Sequence, residues 1–390
     1  MSSPGLRPLA VPRGTAAPSI LADLQSALDG SGPAVAPHAL GSPPQRIPHD
    51  AAHLPQGLAL TIGTSGSSGP PKLAMLTGDA LRASADATYE RLGGQGTWLL
   101  AMPAHHIAGI QVLVRSLVAG TTPVAMDLRS GFTPTAFAQA TAELASGATA
   151  YTALVPTQLV RLLASDDGRE ALARYAAVLV GGAATPAGAL AEAKNARIRV
   201  VTSYGMSETA GGCVYDGRAL DVSRVQLEDG GRIRLGGSTL AQGYLDEPAL
   251  SAEAFVVDDA GGRWFRTDDV GHLDGRGALV VDGRIDDLIN TGGLKVAPRQ
   301  VEEALTELEN VAEAVVVGTP DPEWGQLVSA AIVVTEGSLR VTLDEIRDCL
   351  RGILPEHALP RRLATLTELP LLGPGKPDRA AVRRRFDQDL

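Results

Sequence analysis

From residue 58 onward, short apolar runs alternate with helical patterns. The runs 58–62, 97–102, 122–126, 149–154, 176–180 and 198–203 read as strands; 78–91, 107–118, 134–145, 156–164 and 186–193 read as helices. Strands alternating with helices predict a largely parallel α/β sheet. Several of these helices open with Pro at or near the first turn, where its missing N–H is harmless. Residues 213–283 change character: strand-like runs at 231–235 and 278–281, spaced by Gly and Asp turns, predict an antiparallel, barrel-like part. The polar join Gly283-Arg284-Ile285-Asp286-Asp287 marks the expected boundary, with a large domain over 1–285 and a small α+β domain over 286–390.

In the small domain, Pro298 starts a helix whose Val301, Ala304, Leu305 and Leu308 follow the i, i+3, i+4, i+7 rule. Strands are expected over 312–317 and 328–334. Thr342 with Glu345 forms a capping box, and Val341 can staple against Ile346. Residues 372–376 form a Gly/Pro loop with a lone lysine. Residues 1–57, rich in Pro, Ala and Ser, hold one expected helix over 19–28 and are expected to pack on the large domain.

At 390 residues the chain is long enough for more than one domain and a large core. Its formal charge of −10 argues against generic binding of nucleic acid or anionic membranes, while leaving local basic pockets possible. Cys213 and Cys349 are too few and too far apart for a disulfide framework or a zinc site, which fits a reducing cytoplasm. No apolar run reaches the roughly 18 residues of a membrane span, and residues 1–20 are too broken by Pro and Arg for a signal peptide. The expectation is a soluble cytoplasmic protein with no integral membrane segment.

The chemistry begins at Thr61-Ile62-Gly63-Thr64-Ser65-Gly66-Ser67-Ser68-Gly69-Pro70-Pro71-Lys72. Gly63, Gly66 and Gly69 permit a tight backbone path. Thr64, Ser65, Ser67 and Ser68 line it with hydroxyls beside backbone N–H groups, a nest for anionic oxygens. Lys72 adds a fixed charge, so the loop reads as a holder of polyphosphate. It is not a Walker A loop, because Pro70 and Pro71 separate Gly69 from Lys72, and its glycine spacing is not the dinucleotide fingerprint.

Further along, Ser203-Tyr204-Gly205-Met206-Ser207-Glu208-Thr209 follows an apolar strand, placing it at the carboxyl end, where open α/β sheets bind ligands. Glu208 offers a hard oxygen for Mg²⁺, Ser207 a hydroxyl for an α-phosphate, and Tyr204 an aromatic face. The adjacent His105 and His106 read equally as polar caps or metal ligands, and no third ligand is suggested.

Together these stretches resemble the acyl-adenylate-forming enzymes: acyl-CoA synthetases, adenylation domains of peptide synthetases and luciferases. The likeness covers about residues 58–380. It implies ATP and coenzyme A as substrates with a small carboxylic acid, Mg²⁺ as cofactor, and a mobile C-terminal domain; a homodimer stays open. By resemblance, Thr64–Lys72 is the phosphate loop, His106 lines the acid pocket with Gly212 and Cys213, and Gly182 and Ala183 carry the adenine. Asp269, in Trp264-Phe265-Arg266-Thr267-Asp268-Asp269-Val270-Gly271, would accept from the ribose hydroxyls, with Asp268 where the family has glycine. Arg284 would donate to ribose or phosphate, Asp286 is the hinge, Gly292 and Gly293 approach the CoA thiol, and Lys376 is the catalytic lysine beside Lys72 and Glu208.

The run Ser203–Gly217 looks most like the o-succinylbenzoate–CoA ligases of menaquinone biosynthesis. The rival expectations are a ligase for another aryl or acyl acid, a stand-alone adenylation domain loading a carrier protein, and a non-catalytic nucleotide-binding regulator.

Overall fold

The computed structural model describes residues 5–44, 47, 54–64, 72–129, 131–145, 147–335, 341–373 and 376–387. By contact the chain divides into two units, Met1–Gln226 with Arg234–Thr267, and Leu227–Ile233 with Asp268–Leu390. This division falls earlier in the chain than the join expected at Asp286.

In the first unit, strands β1 (Leu6–Val11), β2 (Ala34–Ala39), β3 (Leu58–Gly63) and β4 (Leu73–Thr77) form one sheet, in chain order. A second sheet holds β5 (Thr97–Leu100), β6 (Val124–Ala125), β7 (Ala150–Leu154), β8 (Ala177–Gly181), β9 (Val200–Met206), β10 (Gly211–Tyr215) and β11 (Arg218–Ala219). Its order is β11-β10-β9-β8-β7-β5-β6. The strands from β6 to β9 run parallel; β10 and β11 add an antiparallel edge. Helices α1 (Leu21–Leu28), α2 (Gly78–Leu92), α3 (Ile107–Val118), α4 (Pro134–Ala142), α5 (Pro156–Leu163), α6 (Asp166–Leu172) and α7 (Ala187–Asn195) complete the main layers.

The two-residue period of the strands sorts the core. Trp98, Leu100, Tyr151, Ala153 and Leu179 pack with residues of α2 and α3 in one cluster. Leu99, Ala150, Leu154, Val178 and Val180 pack with residues of α4 to α7 in another. Each fully buried Leu or Val side chain contributes about 1.5–3 kcal/mol, so the sheet, clad on both faces, is a rigid base for its carboxyl ends. Local signals set the helix ends: Thr77 accepts from Ala80 N at 3.1 Å, and Gly93, at φ 105°, stops α2.

One sheet spans Ser223 to Arg284. Its strands are β12 (Ser223–Leu227), β13 (Arg232–Gly237), β14 (Phe255–Val257), β15 (Arg263–Leu273) and β16 (Leu279–Arg284), with α8 (Pro248–Ala254) between β13 and β14. The antiparallel expectation holds for the pairs of β14 with β15 and of β15 with β16. Phe255 pairs with Phe265 in the first unit, and Asp269 with Arg284 in the second.

The second unit continues with β17 (Ile289–Thr291), β18 (Leu294–Val296), α9 (Pro298–Thr306), β19 (Val311–Asp321), β20 (Gly325–Val334), α10 (Leu343–Leu350), β21 (Arg362–Leu366), β22 (Leu371–Gly373), β23 (Lys376–Pro377) and α11 (Arg379–Asp387). The β19–β20 hairpin turns Val316, Ala330 and Ile332 toward α9 and α10, and Val315, Val317 and Ala331 toward α11. The capping box forms as expected: Thr342 N–H donates to Glu345 Oε2 at 2.8 Å, and Glu345 N–H to Thr342 Oγ1 at 3.3 Å.

Candidate active site

Three segments far apart in the chain meet at the base of the phosphate loop. The β3–β4 hairpin closes with Thr64 N–H donating to the Lys72 carbonyl at 2.9 Å. Ser65, Gly66, Ser67, Ser68 and Gly69 lie outside the described residues. Ser207 Oγ donates to the Gly63 carbonyl at 3.1 Å, tying the base of the loop to the turn that carries Glu208. Residues 241–245 lie beside β4: Gln242 N–H donates to the Met75 carbonyl at 2.7 Å, Met75 N–H to Gly243 at 2.9 Å, and Leu245 N–H to Leu73 at 2.8 Å. Ala241 N–H reaches the Glu208 carbonyl at 2.8 Å.

Tyr244 thereby meets both charged groups. Its hydroxyl donates to Glu208 Oε1 at 2.8 Å, and the Lys72 ammonium lies 5.3 Å from its ring centroid. Glu208 is 7% exposed and Tyr244 5%. Among the described residues no group of three or more His, Cys, Asp or Glu forms a metal cage. A single carboxylate suits Mg²⁺, which takes one or two carboxylates and completes its shell with water and substrate phosphates.

Ser203 to Met206 belong to β9 itself, which runs on past the expected end at 203 because β10 pairs with it there. Gly182 and Ala183 follow directly on the neighbouring β8, exposed beyond its carboxyl end.

The residues assigned to the acid pocket by resemblance gather at α3. His106 stands at its N-cap, with its ring centroid 4.2 Å from that of His105. Burial lowers the pKa of both; for His105, to about 4, the charges of His106, Arg13 and His38 add to the effect. Both imidazoles are therefore neutral at pH 7. One face of α3 then presents Ile107, Gln111 and Arg115 at i, i+4 and i+8. Gln111 Nε2 donates to the Ala210 carbonyl at 2.7 Å, beside Gly211 and Gly212 at the start of β10. A Cβ at Gly212 would lie 2.0 Å from Ser203 Oγ and 3.0 Å from the Tyr215 ring, so a side chain there would force a shift.

Arg115 is 3% exposed. Its Nη2 donates to Tyr215 Oη at 3.4 Å, and its guanidinium lies 4.8 Å from the Trp98 ring. Tyr89, the next hydroxyl in this network, has its pKa pushed up to about 12 by burial and supplies no negative charge. Arg115 Nε and Gln111 Oε1 are buried with no hydrogen-bond partner, and among the described residues no carboxylate pairs with Arg115. Arg115 is thus a buried cation with no carboxylate partner among the described residues. Cys213 is different: it is fully buried, burial pushes its thiol up to about 12, and it serves packing.

The other residues named from the resemblance lie in the second unit. Asp269 faces Arg284 across the β15–β16 ladder at 3.9 Å. Asp268, where glycine was expected, is paired with both Arg232 and Arg284 at 3.2 Å. Asp286 lies in a short 3₁₀ turn, Ile285–Asp287. Gly292 and Gly293 form the β17–β18 turn. The Lys376 backbone lies in the β22–β23 hairpin opposite Gly373.

The family model described as AMP-binding enzyme matches residues 17–283, and that described as AMP-binding enzyme C-terminal domain matches 300–376. The chain belongs to the AMP-binding enzyme family. This AMP-binding enzyme is 45% identical over 388 residues to a protein of Mycobacterium tuberculosis named "Probable 2-succinylbenzoate--CoA ligase", covering 98% of both chains. It is 32% identical to the "2-succinylbenzoate--CoA ligase" of Listeria innocua, covering 84% of this chain and 70% of that one. Among solved structures it resembles o-succinylbenzoate CoA synthetase (MenE) from Bacillus subtilis in complex with an acyl-adenylate intermediate, with TM-score 0.70 and 25% identity, over 93% of this chain and 80% of that one. The α/β fold, with a large N-terminal and a smaller C-terminal domain, is that of the adenylate-forming enzymes.

Two residues of this AMP-binding enzyme escaped the sequence. Arg115 is the single charge in α3, and a lone cation in an otherwise apolar helix is the signal that points to it. Tyr244 had no such signal, because its partners Lys72 and Glu208 are remote in the chain.

Proposed function

We propose that the chain is an ATP-dependent 2-succinylbenzoate–CoA ligase, with Arg115 as the observation that carries the substrate. A buried guanidinium whose Nε has no hydrogen-bond acceptor asks for an anion. 2-Succinylbenzoate has two carboxylates; one is activated, and the other fits Arg115 Nε with the Gln111 amide beside it. The neutral His106 and the side-chain-free Gly212 leave room for a flat ring between.

In the first half-reaction a carboxylate oxygen attacks the α-phosphorus of ATP, and pyrophosphate leaves as the acyl-adenylate forms. In the second, the CoA thiol loses its proton and its sulfur attacks the acyl carbon, and AMP leaves. Both partners of the first step are anions, so the residues act by alignment and charge neutralisation. The loop from Thr64 to Lys72 holds the β- and γ-phosphates, and Ser207 aligns the α-phosphate. Tyr204, with Gly182 and Ala183, receives the adenine; Asp269 and Arg284 hold the ribose. Glu208 would hold Mg²⁺, whose charge offsets that of the phosphates when bound. Lys376 steadies the α-phosphate and acyl oxygens. Residues 286–390 then turn about Asp286, carrying Lys376 away and bringing Gly292 and Gly293 to the thiol. The setting is the cytoplasm, at the CoA-ligase step of menaquinone biosynthesis.

Pyrophosphate release with ATP and a panel of acids, with and without CoA, tests this. 2-Succinylbenzoate should give the highest kcat/KM, and CoA should yield the thioester. A preference for a monocarboxylic acid, or thioester formed only on a carrier protein, contradicts the reading. Lys376→Ala should lower adenylation by about 10²–10³-fold, the scale for one preorganised electrostatic contact. Thiolysis of preformed adenylate should fall far less.

A further inference from the structure

Lys376 is joined to α11 by only two residues, and both are constrained. The ring of Pro377 fixes its φ. Asp378 caps the helix, its Oδ1 accepting from Ala381 N–H at 2.9 Å. Its own N–H donates to the Pro370 carbonyl at 2.8 Å, just before β22. The path from β23 into α11 therefore has little freedom, and its place is set by whatever holds the first residue of the helix. That residue is Arg379.

Three elements of the second unit grip it. Nη1 and Nη2 donate to the two carboxylate oxygens of Glu302 on α9, at 2.6 and 3.1 Å, the fork that a guanidinium makes with a carboxylate. Nη1 also donates to the Val316 carbonyl on β19 at 2.5 Å, and Nε lies 3.8 Å from Asp287 in the 3₁₀ turn. Glu302 is held in turn, because its Oε1 accepts from Val316 N–H at 2.8 Å, so β19 sets the direction of the carboxylate. The apolar anchors of α11, Val382 and Phe386, lie further along the helix. Its start is thus secured by the guanidinium.

We propose that Arg379 is a positioning residue for Lys376: by clamping the start of α11 to α9 and β19, it fixes β23, and with it the Lys376 backbone, within the second unit. This rests on the role proposed for Lys376. A lysine in place of Arg379 would keep the charge, but a single ammonium does not fix an orientation as a planar fork does. Glu302→Gln loosens the clamp from the other side, keeping an oxygen for Val316 N–H while removing the charge.

Arg379→Lys and Glu302→Gln in the full chain test this. Hydrogen exchange over 371–382 follows the hairpin and the helix start, exchange over 325–334 follows β20, and mass spectrometry reads both without turnover. Pyrophosphate release and CoA thiolysis of preformed acyl-adenylate separate the two half-reactions, with Lys376→Ala as a control.

Both variants should speed exchange over 371–382 and leave it unchanged over 325–334. Adenylation should fall by about 10- to 10²-fold, the scale on which a misplacement of about 1 Å acts, while thiolysis holds. Wild-type exchange over 371–382 overturns the proposal, as do wild-type adenylation and an equal loss in both half-reactions. Faster exchange over both segments also overturns it, since that is a general loosening of the unit. Should one variant fail to fold, the other decides. If Lys376→Ala adenylates as well as the wild type, the reading of Lys376 fails, while the exchange over 371–382 still decides whether Arg379 holds the hairpin.

Discussion

The two ends of the site in the first unit handle charge in opposite ways. At the nucleotide end a cation and an anion, Lys72 and Glu208, both meet Tyr244. At the acid end a single cation, Arg115, is buried with its Nε unpartnered. The first arrangement is close to neutral by itself and suits a ligand that arrives with its own cation. The second is unbalanced and suits a ligand that brings a bare negative charge into the interior. On the proposed function, the difference places specificity for the acid where the protein is electrostatically incomplete.

Arg115→Met breaks the comparison most sharply. Removing one member of a buried, hydrogen-bonded charge pair costs about 3–5 kcal/mol, so kcat/KM for 2-succinylbenzoate should fall by on the order of 10²–10³-fold. An analogue lacking the ring carboxylate should lose little, and steady-state pyrophosphate release with both acids reads the contrast. The free protein should respond the other way. Replacing an uncompensated buried ion by an apolar chain of similar size is neutral or stabilising by up to about 4 kcal/mol, visible as an unchanged or higher denaturation midpoint. A loss of stability would mean that Arg115 is balanced from within.

Gly212→Ala sharpens the same end by geometry. Its Cβ, at 2.0 Å from Ser203 Oγ, forces a shift, and overpacking of this kind costs about 1–3 kcal/mol. Acid affinity should weaken while Mn²⁺–ATP binding holds, measured by calorimetric titration of each.

The smallest effect is one of pH. His105 titrates near 6.5 when unfolded and at about 4 when folded. The unfolded chain therefore takes up a proton in that window and the folded one does not, so stability is full above about pH 6.5 and declines as pH falls toward 4. His105→Asn should flatten that decline in denaturant titrations between pH 4 and 7.

Much of this was legible in the sequence where the signal is local. The α3 bounds agree with the expected 107–118, because its apolar run is continuous and bounded by turn residues. The capping box at Thr342 is a three-residue pattern and needs no tertiary partner. Helix α6, DDGREAL, was not expected, because its short run lacks an apolar period and is secured by the Ser165 cap and by Leu172 in the core. Strands β1 and β2 were hidden in a Pro- and Ala-rich segment, since their parallel pairing joins residues on either side of α1. Asp268 looked like a surplus charge until Arg232 and Arg284 were found on either side of it. Arg115 and Tyr244 acquire meaning only from distant segments: which groups a charge or a ring meets is set by packing.

The measurement that bears most directly on the unbalanced acid end is a crystal structure with a non-hydrolysable analogue of the 2-succinylbenzoyl adenylate. The ring carboxylate should lie against Arg115 Nε, directly or through one water, with the Gln111 amide beside it. A carboxylate turned to solvent, with Arg115 Nε still unpartnered, would contradict the account.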